Sequence, residues 1–175
     1  YYNRKVDAAV DETNSEISTI LLSGYHRTDT EISKKNNIQE SIYGGKFKYY
    51  FSSKVNIEAL HYNIKYQIPL VSESPFDISD KQFTFSSVAY SAKYENLFIT
   101  GEAAYNGISV ATINSLQIKF SSRIQFVTSI RNYPRNYFNL RANGFGEKSG
   151  TQNEFGVYTG LRWRTEIGLF NVYFD

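Results

Sequence analysis

The sequence predicts an all-β protein, an antiparallel up-and-down meander. Three observations carry that expectation. Period-2 alternation is clearest near the end of the chain. There Phe155, Val157, Thr159, Leu161 and Trp163 share one side of an extended strand, and Glu154, Gly156, Tyr158, Gly160, Arg162 and Arg164 share the other. Tyr (15) and Phe (13) supply nearly all the aromatic residues, with one Trp, and both favour strands. Finally, short polar turns alternate along the chain with longer polar loops.

Taken in order, the pattern gives seven to nine strands. Lys5–Val10 precedes a polar turn at Asp11–Ser15, and Ile17–Ser23 follows it. Tyr25–Glu40 is the polar exception; Thr28 followed by Glu31 has the form of a capping box, so a helical turn is expected near Asp29–Lys35. Ser41–Phe51 alternates Tyr43, Phe47, Tyr49 and Phe51 against Lys46, Lys48 and Tyr50, and Gly44-Gly45 inside it marks a bulge, a bend or the close approach of another backbone. In Val55–Tyr66 the apolar positions move from Val55, Ile57 and Ala59 to Leu60, Tyr62 and Ile64, a one-residue shift that implies a bulge near Ala59-Leu60. After a loop at Pro69–Lys81 come three hairpins: Gln82–Tyr94 with Leu97–Tyr105, Val110–Phe120 with Arg123–Tyr133, and Glu154–Arg164 with Ile167–Phe174. The polar stretch Tyr133–Asn153 separates the last two.

Composition narrows the function classes. The 175 residues suffice for one domain with a sizeable core. There is no Cys, hence no disulfide framework and no thiol chemistry. A net charge of +2, with basic and acidic residues interspersed, argues against a nucleic-acid surface. The mean hydropathy of −0.42 suggests solubility, yet a membrane barrel hides its apolar band in alternate residues and also averages polar. No apolar run approaches the roughly 18 residues of a spanning helix. Strands of ten to twelve residues, with short turns at one end and long loops at the other, fit a transmembrane β-barrel.

Chemical motifs are sparse. His26 and His61 stand without Cys or clustered carboxylates, so no metal site is expected. His26 suits a hydrogen-bonding role, and His61 a packed or solvated strand position. No nucleophile elbow, phosphate loop or dinucleotide fingerprint occurs, so neither catalysis nor a cofactor is expected. The charged residues are the candidates: Arg27, Glu31 and Lys35 in the polar block, and Arg131, Glu147, Glu154, Arg162 and Arg164 within or beside strands. Inside a barrel they can pair structurally across strands or line a lumen that selects a solute.

Three blocks together resemble a known group: Ser23–Asn36 with Gly44-Gly45, Arg131–Tyr137, and Gly144–Glu147 with Asn153–Gly160. They are similar to the barrel portion of the large helix-hairpin-helix-containing proteins of Bacteroidetes and Chlorobi-type bacteria. The resemblance implies an outer-membrane location and a 1–175 β-domain that is part of a larger barrel. It implies no reaction, and no DNA contact is carried onto this chain. The expectation is therefore a non-catalytic outer-membrane β-barrel segment, an anchor or pore wall in contact with the lipid bilayer and serving an unknown solute. The rivals are a soluble, periplasmic antiparallel β-protein, sandwich or lipocalin-like, that binds an apolar or sugar ligand, and a barrel enzyme.

Overall fold

The computed structural model describes residues 1–72, 74–147 and 150–175. Ten strands and one short helix follow in chain order: β1 (Tyr2–Asp11), β2 (Glu16–Leu21), α1 (Asp29–Ser33), β3 (Ile38–Ser52), β4 (Val55–Leu70), β5 (Asp80–Tyr94), β6 (Leu97–Tyr105), β7 (Val110–Lys119), β8 (Ile124–Tyr133), β9 (Glu154–Arg164) and β10 (Leu169–Phe174). They pair in the order β10-β9-β8-β7-β6-β5-β4-β2-β1-β3, with β4 also pairing β3. The all-β, meander-like architecture is as the sequence predicts. Two details differ. The first strand is longer than Lys5–Val10, because β1 pairs with both β2 and β3 and so has ladder partners on either side. One parallel step, Ile17 against Leu70, joins β2 to β4.

The chain forms two compact units. The first comprises residues 1–45 and 61–85; the second comprises 46–60 and 86–175. Strands β3, β4 and β5 pass from one unit to the other at positions 45/46, 60/61 and 85/86.

The first unit has an ordinary core. Val6, Ala8, Ile17, Ile20, Ile38, Ile64, Tyr66, Leu70, Phe83 and Phe85 are buried. Glu40, fully buried among them, accepts Arg4 Nε at 2.8 Å and the Tyr66 hydroxyl at 3.0 Å, so its charge is paired rather than stranded. Thr28 caps α1 by accepting the Glu31 backbone N–H at 3.2 Å, as its spacing predicts. Gly44 resolves the three options open at the glycine pair: a Cβ there would overlap the His61 carbonyl and Tyr62 Cα, so β4 backbone lies directly against it.

The second unit is the meander. Connections at 53–54, 95–96, 106–109, 120–123 and 165–168 are two to four residues long, and the one between β8 and β9 is much longer; 106–109, expected as a long loop, is no longer than the turns at 120–123 and 165–168. The register from β5 to β10 fixes which side chains share a face, because directly paired residues point the same way.

The apolar shift at Ala59-Leu60 has no matching shift in burial: Asn56, Glu58, Leu60, Tyr62, Ile64 and Tyr66 are the more covered positions and Val55, Ile57, Ala59, His61, Lys65 and Gln67 the exposed ones, with buried Asn63 the exception. What changes is chemistry. Up to residue 60 the exposed parity is apolar and the covered parity polar; beyond it the assignment reverses. The same reversal occurs in β3, where Ile38 and Ile42 share parity with Lys46 and Lys48, and in β5, where Phe83 and Phe85 share parity with Ser87 and Ser91. Each reversal falls at the passage between units.

Candidate functional site: the charged face of the second unit

One face of β5–β10 in the second unit carries no charge. Its rows run from Val88, Tyr90 and Ala92 through Ile99, Leu116, Phe126 and Ile130 to Val157, Leu161, Trp163 and Phe170. Much of it is open, Phe155 being 70% exposed and Trp163 49%. Central polar residues on it are satisfied locally. The Tyr90 hydroxyl donates to Asn114 Oδ1 at 2.9 Å, its ring crossing Gly101. Thr128 Oγ1 donates to the Tyr158 carbonyl at 3.1 Å.

The opposite face holds every charged residue of these strands: Lys93, Glu102, Lys119, Arg131, Glu154, Arg162 and Arg164. Lys46 and Glu58 pair at 2.7 Å, and Asn56 Nδ2 donates to Ser91 Oγ at 2.7 Å, which places β4 polar residues on this face too.

Arg131 is its most buried charge, 1% exposed. Its Nε bonds Glu154 Oε1, and its Nη1 donates to Asp175 Oδ1 at 2.7 Å. The guanidinium fits because residue 156, its cross-strand partner on β9, is glycine; a Cβ there would overlap it. Phe145 and Glu147, from the connection after β8, reach this cluster. Phe145 lies 5.4 Å from the Arg131 guanidinium and 5.3 Å from the Tyr158 ring. Tyr133 donates to the Phe145 carbonyl at 2.8 Å, and the Glu147 N–H to Glu154 Oε1 at 3.1 Å. Further along, Tyr137 is buried with Tyr133 and Ala111, and Asn106 donates to the carbonyls of Asn136 and Phe138. Burial pushes the Tyr137 phenol above its usual range.

The structure therefore brings the charges of Arg131 and Glu154 together, while Glu147 joins them through its backbone N–H. Arg162 and Arg164 stand toward the turn end of the same face, without an acidic partner among the described residues. Arg27, Glu31 and Lys35 belong to the first unit. There Glu31 accepts the Arg27 backbone N–H at 2.7 Å and its guanidinium at 3.3 Å, and these bonds hold the carboxylate below its usual range. Lys35 is exposed beside α1. His26 Nε2 meets Asp7 Oδ2 at 2.7 Å, the hydrogen-bonding role anticipated. Among the described residues no group of His, Cys, Asp and Glu is arranged to hold a metal.

Sequence reasoning missed Asp175, Phe145 and Gly156 around Arg131, and Lys119 and Arg123 around Arg162. Strand parity marks Lys119 and Arg123 as sharing a face with their neighbours; nothing local marks Asp175 or Phe145, which arrive from distant chain positions. Comparison with known proteins finds no matching family model, no matching curated protein and no matching solved structure.

Proposed function

We propose that this chain forms the wall of an outer-membrane β-barrel, with the charge-free face of the second unit against lipid and the charged face toward a water-filled lumen. Its role is that of a membrane anchor or pore wall in transport, without catalysis. The observation that supports this best is the complete segregation of charge to one face of β5–β10 while large apolar side chains stay open on the other. An exposed apolar surface of that extent needs a covering, and among the described residues no element covers it. Lipid suits it, because Asn114 and Thr128 already find partners within the wall. A ten-residue strand rises about 33 Å and, tilted by about 40°, crosses about 25 Å, the height of a barrel's apolar band. The 134–153 connection then lies against the lumen side, as barrel-plugging loops do. The resemblance noted in the sequence points to the same location.

The test is to express the natural open reading frame and fractionate the cells. Recovery in the outer membrane, with an unheated form migrating faster on a gel than the boiled one, is expected. A protein soluble in the periplasm without detergent would overturn the proposal and make the apolar face a covered core.

A further inference from the structure

We infer that the turn end of the charged face is a binding site for a phosphate group, built by Lys119, Arg123, Arg162 and Arg164. This deepens the barrel reading and rests on it for the site's lumenal placement, though not for its chemistry.

The register brings the four cations together. Lys119, Gln125, Arg162 and Asn171 form one row across β7, β8, β9 and β10. Arg123 stands across from Arg164, whose backbone N–H donates to the Arg123 carbonyl at 2.8 Å. All four cations line a cavity of about 200 Å³ together with Ser121, Ser122, Ile124 and Gln125. No carboxylate lines it. Ser121 Oγ accepts the backbone N–H groups of Arg123 and Ile124, each at 3.1 Å, so its proton is free to donate inward.

A purely structural role accounts poorly for this set. Arg131, on the same face, is buried and held by two carboxylates. The turn-end cations are exposed and have no acidic partner among the described residues. Like charges close together across a strand pair repel, and a bound anion would offset that repulsion. Guanidinium groups with converging hydroxyl and amide donors suit a tetrahedral oxyanion with several acceptor oxygens. Glu166, in the neighbouring turn, does not line the cavity.

The experiment titrates the folded full chain, in whichever medium it folds, with inorganic phosphate and separately with phosphatidylcholine vesicles containing or lacking phosphatidylglycerol. Binding is read by calorimetry. The wild type is compared with an Arg162→Gln/Arg164→Gln variant and with a Lys5→Gln/Lys65→Gln control that removes as much charge elsewhere. Saturable phosphate binding that weakens roughly tenfold or more in the first variant and stays unchanged in the control is expected. Response to phosphatidylglycerol alone, lost in the same variant, supports the phosphate-binding chemistry with a lipid headgroup as its source and overturns the lumenal placement. No saturable binding to either, or equal loss in both variants, overturns the inference. Fractionation and heat-modifiability report separately on the barrel, so failure of one reading is distinguishable from failure of the other.

Discussion

At the scale of single residues, Gly156 and Asp7 give the sharpest expectations. A methyl group at 156 would enter the space of the Arg131 guanidinium. That group cannot swing aside freely, because Glu154 and Asp175 hold it and it is 1% exposed. Gly156→Ala is expected to cost about 1–3 kcal/mol, the scale of a lost hydrogen bond to a charged group. Gly45→Ala, where nothing lies within 4 Å, should be close to neutral. Urea unfolding midpoints of the two variants check this. Asp7 in the first unit accepts the Asn36 backbone N–H at 2.8 Å and faces His26. Those bonds, the Asn36 one foremost, hold its carboxyl below the usual range. A depressed folded pKa means the stabilisation is fully present above the ordinary Asp pKa and is lost as pH falls through the lower, folded value. Protection of the Asn36 amide from hydrogen exchange should therefore fall in acid below about pH 4, and Asp7→Asn should abolish that pH dependence.

At the scale of elements, β9 carries the test of facing. Leu161 and Arg162 are neighbours on opposite faces. Arg at 161 would place a guanidinium on the charge-free face, at a cost of about 2–4 kcal/mol near a bilayer midplane. Leu161→Arg is expected to block membrane assembly, while Arg162→Leu assembles normally; yield of the heat-modifiable form measures both. Equal tolerance of the two would contradict the facing. The hairpins of β5–β10 could be read from the sequence because strict alternation acts locally; two of their turns, 120–123 and 165–168, are longer than the two-residue connections expected there. The continuity of β4 through Ala59-Leu60 was not. A swap of apolar parity reads as a register slip when the strand is assumed to keep one environment, and here its two halves belong to different units.

At the scale of the whole chain, the proposed barrel would have its lipid contact end at the reversals at 45/46, 60/61 and 85/86. The sequence has no Cys, so single cysteines can carry spin labels without background. Labels replacing Phe47, Tyr90 or Val157 should be accessible to oxygen dissolved in lipid, and labels replacing Gln39 or Lys65 to a water-soluble nickel relaxant. Water-soluble relaxation at all five positions would remove the membrane from the account. Strand periodicity, the order of the hairpins, the cap of α1 and the single charged side of β9 were readable from residues alone, because these depend on neighbours two to four residues apart. That Arg131 binds Asp175, that Phe145 folds onto its guanidinium, and that Lys119, Arg123, Arg162 and Arg164 converge follows from the three-dimensional fold. Those meetings depend on which strands pair and in what register, a choice made by long-range packing that no local pattern encodes.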